Sequence, residues 1–309
     1  MPHATNPTKT NLRMTPESET TGRLSPEARV QHILFAAEVL DGQKVVYELP
    51  PAVRQKAILI DSGPASATAV SLGAISSLDC PPTSRAQLQI LTIPSTGLDD
   101  PQVLAAARLW VELDELELGH ERRCLPLILQ GAQIFWAPGR TAVIAPSDRM
   151  EAVRGAIIEF CYFEAELRSI EDEIGQNWPQ LELDTPLAFE FRVQAVATRK
   201  QLMQRFEQVI SMRVRLARMA PHIECPPIYP PTLASQIGER LREKTRLADR
   251  LQFTREQTEV FEKIYEMCGQ RASDFMSNRT SHSLEWVIIL LLATETILLA
   301  VDFLSSART

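Results

Sequence analysis

The sequence lacks the motifs by which enzymes and metal proteins are commonly recognised. No G-x-G-x-x-G, P-loop, G-x-S-x-G or H-E-x-x-H pattern is present. Neither the histidines nor the cysteines show metal-ligand spacing, and the cysteines are dispersed at Cys80, Cys124, Cys161, Cys225 and Cys268. We therefore predict no catalytic residues, no metal and no cofactor, while an enzyme whose site is assembled from distant residues stays open.

The chain also lacks a strong charge of one sign and an apolar leader. Its net charge of -7 over 309 residues argues against a protein that binds nucleic acid with its whole surface. An odd, scattered set of cysteines predicts reduced thiols in a reducing compartment. Residues 1–26 hold few large apolar side chains, so we expect no secretory signal there and a disordered segment.

Residues 28–146 are predicted to form a mixed α/β domain, because short apolar runs alternate with turn signals. Ser25 followed by Pro26 is typical of a helix start, and residues 33–40 fit a helix or a strand. Pro138 to Arg140 predicts a hairpin turn. Helices are expected at 66–78 and 101–118, and strands at 45–47, 56–61, 88–93, 125–129, 133–136 and 141–144.

From Ser147 onwards the pattern favours helix, which makes the predicted fold class α+β, with a long-helix C-terminal domain. Residues 147–231 form a helical region with helices at 152–174 and 187–219, a loop marked by Pro179 and Pro186, and a proline-rich connector. Residues 232–282 contain no proline and predict one long amphipathic helix of coiled-coil type. Its apolar stripe consists of Leu241, Leu251, Phe261 and Phe275. The stripe either drives self-association or packs against helix 187–219.

Residues 283–304 form the longest apolar run, free of proline and glycine. As a helix, 287–304 would be roughly 27 Å long, just enough for a bilayer core of about 30 Å, with Trp286 at the interface. Glu295 opposes insertion by about 3 kcal/mol unless it is protonated or paired on a second copy. The alternatives are a helix buried in protein, with Glu295 paired inside, and an interfacial helix.

Helix 187–219 is rich in basic residues and contains only two acidic residues, Glu190 and Glu207. It could present a surface for RNA or anionic lipid, or a solvated face that balances an acidic domain. The candidate basic surface consists of Arg199, Lys200, Arg213, Arg215 and Arg218.

The terminal segment S-L-E-W-V-I-I, with Glu285 and Trp286, followed by Glu295, resembles the closing motif of the required-for-meiotic-nuclear-division family. The resemblance covers about 235–304 and, less closely, 131–220, where G-A-Q-I-F-W is similar to the family's G-V-V-V-F-W strand. It implies an α/β N-terminal part, a helical C-terminal part, a C-terminal membrane segment and self-assembly. It supplies no catalytic residues.

The sequence thus predicts a non-enzymatic, self-associating scaffold anchored by a single C-terminal transmembrane helix. Arg271 and Arg279 precede the apolar run and only Arg308 follows it, which favours a body on the cytoplasmic side. The alternatives are a cytoplasmic soluble protein, a translation- or RNA-associated factor that uses the basic helix, and an enzyme with an unrecognised site in the α/β domain.

Overall fold

The computed structural model describes residues 27–39, 42–51, 53–64, 86–95, 100–112, 124–189, 193–225 and 232–306. Within these ranges, strands come first and long helices follow, so the predicted α+β class is confirmed. The strands are β1 (Arg29–Ala36), β2 (Lys44–Glu48), β3 (Lys56–Pro64), β4 (Ala86–Pro94), β5 (Leu125–Leu129), β6 (Ala132–Ala137) and β7 (Arg140–Ala145). The helices are α1 (Pro101–Glu112), α2 (Ser147–Asp184), α3 (Val193–Glu224), α4 (Leu233–Lys244) and α5 (Leu247–Ser306), with a short 3-10 helix at Thr185–Ala188.

The seven strands form one sheet in the order β2-β3-β1-β4-β7-β6-β5. All neighbours are antiparallel except β4 and β7, which run parallel. The predicted hairpin joins β6 to β7, and Gly139 in its turn has φ +82°, a conformation that side chains with a Cβ rarely adopt. The stretch that fitted a helix or a strand is β1, in the middle of the sheet, so a helix starting at Ser25 does not continue through it.

Both faces of the sheet are covered, because alternate residues of each strand point to opposite sides. On β7, Ala142 and Ile144 pack against α1 and its Trp110. Val143 and Ala145 belong instead to the large core that α2 forms on the opposite face. The helix predicted at 66–78 lies outside the described residues.

Pro179 lies inside α2, so the prediction that the helix ends at residue 174 and that Pro179 marks a loop is wrong. Proline removes one backbone donor and usually breaks a helix. Here the neighbouring side chains are held by packing: the rings of Trp178 and Phe261 meet edge to face at 4.9 Å, and Leu181 is buried. Tertiary contacts on both sides of the proline therefore keep α2 helical through Asp184.

The helix predicted over 232–282 is instead two helices, since α4 ends at Lys244 and α5 begins at Leu247. Arg246 at the break has φ +52°, although no glycine or proline marks the position. Leu241 and Leu247 are both fully buried. On one continuous helix they would lie about 120° apart around the axis, so the break allows both to enter the same core.

The apolar stripe of this region is buried within the chain. Leu241, Leu251 and Phe261 are at most 1% exposed, and α5 packs along α3. The two helices run antiparallel, since ion pairs join Glu224 to Arg255 and Arg213 to Glu262. The stripe therefore packs intramolecularly, the second of the two predicted arrangements, and the part described is not free to form a coiled coil between chains. The side chain of Phe275 lies outside the described residues.

Candidate functional site

The C-terminal part of α5 carries the most extensive apolar surface of the described structure. The helix is 60 residues long, about 90 Å at 1.5 Å per residue, and it continues without interruption through the polar residues 277–283 that lie between its two halves. We call residues 247–268 the root of α5 and residues 284–299 its tip.

Large apolar side chains of the tip are exposed in every direction around the helix. The six consecutive residues 287–292 are each 54–68% exposed, and successive residues of a helix point about 100° apart. No face of this segment therefore packs against the body. A helix that is apolar all round is ordinarily buried in protein or lipid. The remaining exposed large apolar side chains of the tip are Leu284, Trp286, Ile297, Leu298 and Leu299.

The three predicted site residues of the tip do not converge. Trp286 is 70% exposed at the start of the tip. Glu285 lies beside His282, with 3.1 Å between a carboxylate oxygen and Nδ1. Glu295 is ten residues further on, about 15 Å along the axis, and is exposed. Among the described residues none is bonded to the Glu295 carboxylate.

The hydroxyls next to Glu295 are already engaged with the backbone. Thr294 donates to the carbonyl of Leu290, and Thr296 donates to that of Leu292, each at 2.7 Å. These bonds use the hydroxyl protons but leave oxygen lone pairs, so both threonines can still accept a hydrogen bond from a neighbouring helix. Glu295 is thus surrounded by acceptors and apolar side chains rather than by a cation.

The root of α5 differs, because it is fixed by carboxylates buried on α2. Arg250 forms ion pairs with Glu164 and Glu171, and Arg168 forms a second pair with Glu164, whose side chain is only 3% exposed. Buried carboxylates of this kind are stable only when they are paired and hydrogen-bonded. The root is consequently locked to α2 by charge as well as by apolar contact.

A second cluster lies where α2, α3 and the root meet, at Asp184. Arg205 pairs with Asp184, and the hydroxyl of Tyr265 donates to the same carboxylate at 3.3 Å. Burial, reinforced by the negative charge of Asp184, raises the pKa of Tyr265 to about 12. The same two causes raise the pKa of the Cys268 thiol to about 11.

The predicted basic surface is divided between two roles. Arg215 is 14% exposed and bonds Glu166 at 2.7 Å and Glu173 at 2.8 Å on α2, while Arg213 pairs with Glu262 on α5. Arg199, Lys200 and Arg218 are exposed. At about 100° per residue the five side chains spread over roughly 200° of the helix circumference, so they do not share one narrow face. Binding of RNA or anionic lipid by these residues stays a prediction.

Sequence reasoning missed the buried carboxylates that organise the helices. Glu164, Glu166 and Asp184 are each at most 7% exposed. One signal was available, because Glu164 falls on the same helical face as Ile157, Phe160 and Leu167. A carboxylate in an apolar stripe indicates a partner from another element, but the sequence does not say which arginine supplies it.

Two features are absent from the described residues. They contain no group of three or more His, Cys, Asp or Glu side chains able to hold a metal ion. Across the same residues, no helix combines the length and the apolarity needed to cross a membrane, so the predicted transmembrane helix is not supported there.

Comparison with known proteins adds little to this geometry. No protein family matches the chain, and no curated protein matches it either. Among solved structures, the chain is similar to that of the full-length CmaX protein, at 12% identity, over 86% of this chain and 83% of that one. The TM-score of 0.36 is too low to support an argument about fold or function. The resemblance to the required-for-meiotic-nuclear-division family stays a prediction.

Proposed function

We propose that the protein is a non-enzymatic, self-associating scaffold that the tip of α5 attaches to a membrane. One observation carries the proposal: large apolar side chains cover the whole circumference of residues 284–299 and none packs on the body. Exposed apolar surface of this extent marks an interaction site rather than an ordinary protein surface. Complete burial of one such side chain is worth about 1.5–3 kcal/mol, so burial of the whole tip would be strongly favourable.

A membrane accounts for this distribution better than a groove on another protein does. A groove covers one face of a helix and leaves the opposite face polar. Here the residues on opposite faces are equally apolar, which is typical of a helix surrounded by lipid. The apolar run continues in the sequence from Leu299 to Leu304, so the attachment uses 287–304 as a whole.

Self-association follows from Glu295 in the middle of that run. An isolated carboxyl group in lipid is unfavourable by about 3 kcal/mol. A second copy of the tip places a second Glu295 and the lone pairs of Thr294 and Thr296 at the same depth. Hydrogen bonds between membrane helices contribute on the order of 1 kcal/mol each, which favours pairing of tips.

Fractionation of cells that express the full-length protein, beside a chain that ends at Ser281, tests the attachment. We expect the full-length protein in the membrane fraction after an alkaline carbonate wash, and the shortened chain in the supernatant. Because no described contact joins the tip to the body, the shortened chain should keep the body's melting temperature. A full-length protein that is monodisperse without detergent would refute the proposal.

A further inference from the structure

A cleft of about 670 Å³ lies where four elements of the body meet, far along the chain from the tip of α5. It lies between β2, the first part of α2, the end of α3 and α4. Ligand sites in proteins commonly have volumes of roughly 300–1,000 Å³. Its lining includes Tyr47, Ala156, Glu159, Phe160, His222 and Arg242.

Arg242 is the unusual member of this lining. Its guanidinium group is half-buried, yet among the described residues none accepts a hydrogen bond from it or lies within ion-pair distance of it. Glu159 and Glu239 act on it only through space, and burial lowers the pKa of Arg242 in spite of both. The guanidinium group therefore has N–H donors that the described protein does not use.

Two other half-buried arginines of the body, Arg215 and Arg250, have the carboxylate partners that Arg242 lacks. Arg215 bonds Glu166 and Glu173, and Arg250 bonds Glu164 and Glu171, so each has two carboxylate partners. Both keep a raised pKa for that reason. A guanidinium group withdrawn from water normally needs such partners. Arg215 and Arg250 face carboxylates, whereas Arg242 faces the cleft.

The wall of the cleft opposite Arg242 is formed by β2 and α2, and contacts between their side chains fix its shape. The hydroxyl of Tyr47 donates to a carboxylate oxygen of Glu159 at 2.8 Å. The ring of Tyr47 lies against Gly155, where a Cβ would come within 3.1 Å of it, so the glycine allows this close approach. Ala152, Ala156 and Phe160 add apolar surface from α2.

Most other polar groups at the cleft are already occupied, and the ring of His222 stacks on that of Phe163. Thr232 and Ser235 bond each other in the capping box that starts α4. Asp148 pairs with Arg149, and Glu151 pairs with Arg154. These pairs leave Arg242 as the one strong donor of the lining that has no partner within the described residues. The carboxylates of the lining also disfavour a ligand with two negative charges.

We propose that this cleft binds a small organic monocarboxylate, whose carboxylate pairs with Arg242 and whose apolar portion packs against Ala156 and Phe160. The two N–H groups on one edge of a guanidinium match the two oxygens of a carboxylate. A single negative charge satisfies Arg242 without adding a second charge near Glu159.

Titration of the full-length protein with 3-phenylpropionate tests this, beside the uncharged 3-phenylpropanol and the dianionic phenyl phosphate. Hydrogen bonds to charged groups contribute about 1.5–3 kcal/mol, which corresponds to roughly tenfold or more in affinity. We therefore expect the carboxylate to bind at least about tenfold more tightly than the alcohol and than phenyl phosphate. Equal binding of carboxylate and alcohol, tighter binding of phenyl phosphate, or no binding of the carboxylate would overturn the proposal.

Two arginines of α4 provide a matched pair of variants. Arg242→Gln should weaken 3-phenylpropionate about tenfold and leave 3-phenylpropanol unchanged. Arg240→Gln should change neither, because Arg240 is exposed and pairs with Glu243 outside the cleft. Arg242→Lys keeps the charge without the paired donors and should give an intermediate affinity. Unchanged binding by Arg242→Gln and Arg242→Lys would contradict the assignment, and the comparison of ligands on the unaltered protein decides the question if either variant fails to fold.

Discussion

The root and the tip of α5 belong to one uninterrupted helix, yet they meet opposite surroundings. Apolar side chains of the root, such as Leu251 and Phe261, are buried against α2 and α3, and its Arg250 pairs with carboxylates of α2. Apolar side chains of the tip, such as Ile289 and Leu291, contact no other element in the described structure and remain more than half exposed. The root therefore belongs to the fold, whereas the tip is free of it and is the part that we propose attaches to a membrane.

The two parts of α5 differ in how their apolar residues are distributed around the helix. In the root, apolar residues occupy one stripe and charged residues the rest, which suits a helix half-buried in protein. In the tip, apolar residues occupy nearly every position, so no stripe remains to define a packing face. Substitutions in the root should therefore change the stability of the body, whereas substitutions in the tip should change attachment.

The largest expected effect is on stability, from Phe261→Ala in the root. Phe261 is 1% exposed and its ring meets Trp178. Removal of a buried phenylalanine typically costs about 3–5 kcal/mol in the free energy of unfolding. Leu291→Ala in the tip should cost less than about 0.5 kcal/mol. Urea unfolding followed by circular dichroism measures both, and equal losses would contradict the division between root and tip.

Arg215→Met should have the next largest effect, because it removes the guanidinium group that faces the buried Glu166. Breaking a buried ion pair from one side costs about 3–5 kcal/mol. Arg199→Met, on the same helix but exposed, is the control and should stay within about 0.5 kcal/mol of the unaltered protein. If the two variants unfold alike, the pairing of α3 with α2 does not stabilise the body.

Glu295→Leu should shift attachment and leave the body unchanged. Insertion of the tip should become more favourable by about 3 kcal/mol, since the carboxyl group is lost from the middle of the apolar run. Pairing of tips should weaken by about 1 kcal/mol for each hydrogen bond lost. Flotation with liposomes measures the first and crosslinking in the membrane measures the second. If the variant self-associates as strongly as the unaltered protein, Glu295 does not contribute to pairing of the tips.

The smallest expected effect is a pH dependence of the root. The pKa of Tyr265 is raised to about 12 in the folded protein from an ordinary value of 10.0. Its protonated form is thus favoured by folding, so this contribution to stability is complete below pH 10 and is lost as the pH rises towards 12. Tyr265→Phe should flatten that part of the alkaline decline in unfolding free energy. An unchanged slope would show that Tyr265 does not contribute.

Some features of the root, the tip and the cleft could be predicted from the sequence, and others depend on contacts between distant elements. The apolar run of the tip and the strands near residues 125–144 could be predicted, because each depends only on residues that are neighbours in the sequence. The break at Arg246 and the helical Pro179 depend on contacts of Leu247 and Trp178 with distant elements. The unpartnered Arg242 is also a property of the assembled structure, because nothing local distinguishes it from Arg240.

The most direct test of the account compares one charge placed in the tip with the same charge placed in the root. Leu291→Lys and Phe253→Lys each put a lysine at an exposed apolar position of α5 in the full-length protein. In liposome flotation, Leu291→Lys should lose membrane binding by 100-fold or more, about 3 kcal/mol for a lysine at the centre of a membrane helix, while Phe253→Lys should float like the unaltered protein. Equal flotation of all three proteins would contradict attachment through the tip.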